Sequence, residues 1–398
     1  MRIGNTGFDG GRIARLDTLL QRFVDQDEVA GAAVKVVRHG ETAYRNWKGY
    51  ASLESRKPID GDTLYRIYSM TKTFTSVTLM TLYEQGLIRL DDPAYEFIPA
   101  FKDVKVAEVD YAGNVNLVPA KRPVTIRQLA SMTSGCSYPN DTSASGKAMN
   151  RLYEKLNGTD AGTLQYAAAA AEAPLAFHPG DHWMYGFSHD ILGAIIEVVS
   201  GKRFGAYMKE AVLDPLGLSD TAFYCPPEKR GRLAEGYVHE KGKKPINAVP
   251  DRVGPADDAP PAFESGGGGL ISSLDDVSAF AQMLVNGGKG ANGERILSRK
   301  TVQLIASNQL NETQKKDFNW ESIWGYGYGL CVRTMLNPSE TGLNGSVGEF
   351  AWDGMMGTWY CVDPLEDITA VFMIQRIPCE NHNHPRKVMQ VVYGALDD

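Results

Sequence analysis

Ser69 and Lys72 stand three residues apart in LYRIYSMTKTFTSVTLMTLYEQG, residues 64 to 86. On a helix that spacing puts both side chains on one face, with Cβ atoms about 5 to 6 Å apart, so the serine Oγ and the lysine Nζ can meet. A plain helix cap is the competing interpretation. A capping serine, however, favours Glu or Gln three residues on, because a carboxylate suits the exposed N–H groups and the positive end of the helix dipole. A lysine has the wrong sign there, at a cost of roughly 0.3 to 1 kcal/mol when ionised. Burial in an apolar helix disfavours the ammonium further, by up to about 3 to 5 pKa units. A neutral lysine touching a serine hydroxyl is a general base beside a nucleophile. The pair therefore predicts acyl chemistry, with Ser69 attacking, Lys72 taking the proton and the Ser69 N–H facing an oxyanion. The tetrapeptide alone is a weak signal, since ordinary Ser and Lys usage supplies about one S-x-x-K by chance in a chain this long.

Several elements must position that pair. Met70, Phe74, Val77, Leu79, Met80, Leu82 and Tyr83 leave the helix almost no polar face, which predicts a buried central helix stopped by Gly86. Upstream, Ile13, Leu16, Leu19, Leu20, Phe23 and Val24 recur at three and four residue steps and describe one helix over residues 12 to 26. GAAVKVVRHGETAYRNWKGYAS reads as two strands around a turn at His39, Gly40 and Glu41. Residues 91 to 264 read as short, proline-punctuated helical pieces with few strands. From Glu264 onward a four-glycine stretch leads into a helix whose start pairs Ser273 with Asp276. Strand-like runs follow at YGYGLCVRTM, GTWYCVDP and DITAVFMIQR, and a last helix carries Val388, Val391, Val392 and Ala395. The simplest assembly is an α/β (α+β) fold: an antiparallel sheet built from both chain ends and flanked by helices, with an inserted, mostly helical region. This gives a discontinuous sheet domain of residues 1–90 and 265–398, a helical domain of residues 91–264, and an active site at their interface.

Composition narrows the partners. The 398 residues are 43% hydrophobic and 22% charged, as ordinary globular chains are, which excludes disordered and fibrous classes. A net charge of −7 without a basic block argues against nucleic acid. No stretch reaches the ~20 apolar residues of a membrane span, and the N-terminus lacks a signal-peptide pattern. The five cysteines form no C-x-x-C pair and read as reduced thiols, so the expected compartment is the cytoplasm. Oligomeric state is not legible.

Beyond the pair, the ordered segments SMTK, RQLASMTSG, WMYGFSHDILGAIIEVVSGKRFGAYMKEAVLDPLGLSDTAF, GGGGLISSLDDVSAFAQMLVNGG and WDGMMGTWYCVDP resemble the serine beta-lactamase-like superfamily over residues 20 to 395. The likeness is greatest to its class C-like branch of family VIII carboxylesterases, transesterases and D-amino-acid peptidases. The resemblance implies the beta-lactamase-like fold, a Ser69 nucleophile, Lys72 as its partner, and Tyr185 as the Y-x-N tyrosine that shuttles a proton to the leaving group. It places Trp352, Asp353 and Gly354 on the K-T-G strand, with the Met355 N–H completing an oxyanion hole with that of Ser69. A tyrosine of ordinary pKa near 10 needs an ammonium nearby to work near neutrality, so Ser69, Lys72 and Tyr185 are expected to titrate together. Two positions depart from the family pattern. Phe187 replaces the asparagine of Y-x-N at the substrate-binding face, and Trp352 replaces the strand lysine that would hold a carboxylate. Both favour neutral or apolar esters over beta-lactams or D-alanyl-D-alanine. The expected substrate is a small-molecule acyl ester or amide, with no metal and no organic cofactor.

Other candidates are weaker. GFSHD is similar to a G-x-S-x-G elbow with Ser188 as nucleophile, but an aspartate ends it and no β-α alternation precedes it, so Ser188 is expected to cap a helix. Gly266 to Gly269 lack a following G-K-[ST] and predict a tight turn beside the site, not a phosphate loop. His178 and His182 flank Pro179 and Gly180, which rules out a helical zinc pair, and His382 and His384 near Cys379 predict a surface loop. Asp353 predicts a solvent-facing strand carboxylate, or a group that repels carboxylates or orients an amine. Tyr138, Met149 and Tyr153 are the candidates for pocket wall.

Overall fold

The computed structural model describes residues 4–240, 246–247, 259–379 and 383–398. Its main sheet joins three N-terminal strands, β1 (Gly31–Arg38), β2 (Glu41–Ser52) and β3 (Lys57–Pro58), to five C-terminal ones. These are β4 (Tyr326–Tyr328), β5 (Arg333–Met335), β6 (Phe350–Asp353), β7 (Trp359–Asp363) and β8 (Ile368–Met373). The spatial order is β4-β5-β6-β7-β8-β1-β2-β3, antiparallel throughout, with Val34 opposite Phe372 across the seam where the two chain ends meet. His39 and Gly40 both take positive φ, 52° and 72°, as a two-residue hairpin turn between right-twisted strands requires.

Strand side chains alternate between two cores. Ala32, Val34 and Val36 of β1 and Ala370 and Phe372 of β8 face α1 (Arg15–Asp25) and the last helix, Asn383–Tyr393. Ala33, Val371 and Met373 face the other way, towards α2 (Thr71–Glu84) and Leu274–Val285. Burial on both faces explains why β1 and β8 read as nearly continuous apolar runs. In α2 every residue from Thr71 to Leu82 is buried, and Gly86 at φ +72° closes its end while Leu87 N–H bonds Leu82 O at 3.1 Å. Ser273 caps the helix at Leu274, accepting from the Asp276 N–H at 3.2 Å.

The structure departs from the sequence expectations at several places. The first helix is broken at Ala14 into Gly10–Ile13 and α1, although Ile13, Leu16, Leu19, Leu20 and Phe23 still share one buried face. The middle region contains a hairpin, Lys105–Val109 paired with Val115–Pro119, that its mixed polar and apolar sequence did not reveal. His384 is not on a surface loop: it is 2% exposed in the last helix and bonds Glu28 at 2.9 Å, while His382 lies outside the described residues. His178 and His182 bond Glu108 and Asp317 instead of each other. Among the described residues no cluster of three His, Cys, Asp or Glu side chains could hold a metal, no disulfide links the cysteines, and no helix is long and apolar enough to cross a membrane.

Candidate active site

Ser69 lies in a single 3₁₀ turn, Tyr68–Met70, that runs directly into α2. The residue before it, Tyr68, sits at φ +42°, a left-handed conformation that is costly for a bulky side chain and persists only where surrounding packing imposes it. Here Tyr68 is buried, and Ile67 on its other side is held through its N–H to Leu270 O at 3.1 Å and its carbonyl to Thr358 Oγ1 at 3.3 Å. The kink leaves Ser69 half-exposed at the head of the buried helix. Ser69 does not cap that helix; its Oγ accepts from Lys72 Nζ at 3.0 Å.

Lys72 is fully buried. Besides Ser69, its Nζ donates to Gly267 O at 2.5 Å and lies 4.6 Å from the centre of the Tyr185 ring. Burial pulls its pKa down to about 8, against the opposing pull of the Asp190 and Asp353 carboxylates. Such a lysine is substantially neutral in mildly alkaline water and can accept a proton from Ser69.

Tyr185 comes from the segment before α3 (Ser188–Ser200), where Gly186 packs so tightly on the Cys136 carbonyl that a Cβ would overlap it. Its hydroxyl contacts Ser69 and accepts from Trp352 Nε1 at 3.2 Å. Its surroundings act against the expected tuning towards neutrality. Burial pushes its pKa well above 10, outweighing the hydrogen bonds with Ser69 and Trp352, while Lys72 Nζ lies 4.6 Å from the ring centre. Tyr185 is therefore a neutral phenol, able to relay a proton but not to begin as a phenolate.

The end of β6 closes the other side. Gly354 donates to Thr358 O at 2.7 Å, and a Cβ there would stand 2.5 Å from Ile67 O and collide with Thr358 Oγ1. Only glycine lets this strand end approach the turn that carries Ser69. Trp352, Asp353, Gly354 and Met355 all line the same cavity as Ser69 and Tyr185. Among the described residues no backbone carbonyl accepts from the N–H of Ser69 or of Met355, which leaves both to an oxygen in the cavity.

Asp353 does not face solvent as a bare carboxylate: it is ion-paired with Arg333, which is 6% exposed. Phe187, expected at the substrate face, is fully buried behind the cavity against Tyr138, Tyr153 and Phe263. Ser188 is buried and bonds Ser134 Oγ at 2.9 Å; it neither caps its helix nor reaches the cavity. Met149 is core, whereas Tyr138 and Tyr153 do form wall. The Gly266 to Gly269 turn does abut the site, for a reason of space: a Cβ on Gly267 would lie 2.5 Å from Asp190 Oδ2 and one on Gly266 would overlap the His189 carbonyl.

The cavity measures about 590 Å³, and its wall is largely aromatic, including Tyr138, Tyr153, Phe263, Trp320 and Trp352. No lysine, arginine or histidine is among the described residues that line it. Sequence reasoning missed Phe263 and Trp320, which sit in irregular segments without periodicity, and Asp190. That aspartate carried a signal: it is the one acid inside the apolar turn HDILGAII, a position that burial makes expensive unless the carboxylate has partners.

A family model described as Beta-lactamase matches residues 16–389. Protein Rv1367c of Mycobacterium tuberculosis is 32% identical over 368 residues, covering 90% of this chain and 89% of its own. Esterase EstB of Burkholderia gladioli is 29% identical over 373 residues, covering 88% and 87%. The solved structure of EstCE1, described as a hydrolase with promiscuous acyltransferase activity, matches at a TM-score of 0.80 and 25% identity over 97% of this chain and 99% of its own. With a match of that extent, and a two-ended antiparallel sheet beside one cavity lined by Ser69 and Tyr185, with Lys72 buried behind Ser69, the chain belongs to the beta-lactamase family.

Proposed function

We propose that this protein is a serine hydrolase that cleaves carboxylic esters through an acyl-enzyme on Ser69, with acyl transfer when an alcohol or amine takes the place of water. The observation that carries the proposal is the pairing of Ser69 Oγ with a buried Lys72 Nζ at 3.0 Å beside a roomy, aromatic-rich cavity with no lining cation among the described residues. Neutral Lys72 takes the Ser69 proton as Oγ bonds the acyl carbon, and the carbonyl oxygen becomes an oxyanion between the Ser69 and Met355 N–H groups. As the acyl carbon to alkoxy bond breaks, the Tyr185 phenol gives its proton to the departing oxygen and recovers one from the Lys72 ammonium. Water, or an alcohol or amine, then attacks the acyl-Ser69 ester with Lys72 and Tyr185 taking its proton, which restores the free serine. Trp352, Asp353 and Gly354 form the wall beside the bound ester, and the names of EstB and EstCE1 support ester and acyl-transfer chemistry.

The rival activity, a D-amino-acid-type peptidase or weak beta-lactamase, is disfavoured by the same wall. Trp352 stands where a carboxylate-binding lysine would be, and the nearby Arg333 is engaged by Asp353. A non-catalytic binding or assembly role of the same fold is the remaining alternative. Hydrolysis of p-nitrophenyl acetate and butyrate by wild type and Ser69→Ala separates these possibilities. The proposal expects turnover that Ser69→Ala abolishes, together with a fluorophosphonate adduct on Ser69. Inert wild type, or full activity in Ser69→Ala, defeats it; a penicillin adduct with turnover exceeding that on esters favours the peptidase or lactamase alternative.

A further inference from the structure

We propose that Asp190 is a positioning residue for Lys72: its buried carboxylate fixes the Gly267 peptide, and the carbonyl of that residue holds the lysine Nζ on Ser69. The inference rests on Ser69 and Lys72 being nucleophile and base. Asp190, 2% exposed on α3, accepts the Gly267 N–H at 3.1 Å and the Ser265 hydroxyl at 2.5 Å through Oδ1. Gly267 O then accepts from Lys72 Nζ at 2.5 Å. One residue thus has its N–H tied to the carboxylate and its C=O tied to the ammonium. From the other side Thr75 Oγ1, one helical turn beyond Lys72, donates to Gly266 O at 2.8 Å. The glycine turn is therefore clamped between α2 and α3, and a lysine with four rotatable stem bonds is left with one place for its head group.

The carboxylate also acts through its charge. The ionisable groups facing Lys72 are Asp190 and His189 from α3, Tyr185 and Tyr138 from the loops, Cys331 beside β5 and Asp353 from β6. Among the charges that favour the lysine ammonium, Asp190 is the largest. Burial opposes it; burial likewise pushes the Asp190 pKa up, and Ser265, Lys72 and the Gly267 N–H pull it part of the way back towards the anion. Taking the Asp190 charge away lowers the Lys72 pKa further, so less alkaline water suffices to make the base.

The test is the pH dependence of p-nitrophenyl acetate kcat/KM, with active sites counted by fluorophosphonate. Asp190→Asn keeps an acceptor for the Gly267 N–H but removes the charge. The acid limb is expected to move down by about one pH unit, with the alkaline plateau held within tenfold. Asp190→Ala removes the clamp as well, and its plateau kcat is expected to fall at least tenfold. Gly267→Ala keeps the charge but places a methyl 2.5 Å from Asp190 Oδ2, so kcat falls with the limb unmoved. This variant carries the test if the Asp190 variants fail to fold. An Asp190→Asn limb that coincides with wild type, or a Gly267→Ala enzyme with wild-type kcat, overturns the inference. Ser69→Ala in the same assay separates the two levels: residual activity there defeats the underlying mechanism, whereas an inert Ser69→Ala with an unmoved Asp190→Asn limb defeats the positioning role alone.

Discussion

Gly354→Ala tests how the oxyanion hole is built. The added Cβ would stand 2.5 Å from the Ile67 carbonyl, where real Cβ contacts stay at or beyond 3.0 Å, and it would also overlap Thr358 Oγ1. Rotating Thr358 relieves only the second clash and sacrifices its bond to Ile67 O. Backbone on both sides resists the first, since Ile67 N–H is fixed to Leu270 O and Gly354 N–H to Thr358 O. The strand end must therefore back away from the Ser69 turn by about 0.5 Å, enough to carry a 2.9 Å hydrogen bond to the edge of useful geometry. Loss of one oxyanion donor lowers kcat by about 10² to 10³, and a partial displacement should cost about 10 to 10², which is roughly 1.4 to 2.7 kcal/mol of barrier. Overpacking of this kind also destabilises by about 1 to 3 kcal/mol. The assay is p-nitrophenyl butyrate hydrolysis per fluorophosphonate-reactive site, well below the melting temperature, with Met355→Ala as control because it keeps the N–H. Met355→Ala should stay within about threefold of wild type in kcat. A Gly354→Ala enzyme with lowered melting temperature and wild-type kcat would refute the claim that the Met355 N–H stabilises the transition state.

Two further predictions concern charge. With the Lys72 pKa lowered to about 8 and the neutral form required, kcat/KM should rise with pH through that value and lie about 10²-fold below its plateau two units lower. Lys72→Arg, protonated at every accessible pH, should be as inactive as Lys72→Met, and a flat profile between pH 6 and 9 would contradict the base assignment. Arg333→Leu removes the buried cation beside Asp353 and should cost about 3 to 5 kcal/mol in urea unfolding, much of it recovered in the Arg333→Leu, Asp353→Leu double variant. Equal stability of wild type and Arg333→Leu would show that the pair contributes nothing.

Much of the architecture follows from local pattern. Three-and-four-residue spacing marked the apolar face of the first helix, the near absence of a polar face marked α2 as a buried central helix, and apolar runs marked the strands. The wrong-signed lysine at a helix start singled out Ser69 and Lys72, whose side chains stand 3.0 Å apart because a helix turn alone brings them together. Where contacts span long stretches of chain, pattern was silent or misleading. Phe187 looked like a site residue by its place in the order Tyr185, Gly186, Phe187, yet the turn at Gly186 aims it into the core. Tyr185 stands with its ring 4.6 Å from Lys72 Nζ, but the burial that assembles the site raises its pKa, an effect of solvent exclusion that no spacing encodes.

The sequence by itself determined the helix that carries serine and lysine, the two-ended sheet and the turn residues, because each depends on periodicity or on backbone conformations that few residue types tolerate. Tertiary structure alone decided that Asp190, Gly267 and Lys72 form one chain of contacts, that Arg333 engages Asp353, and that the cavity wall is rich in aromatic rings and, among the described residues, without cations. Those outcomes depend on distances between segments tens to hundreds of residues apart, and on the water that closing them excludes.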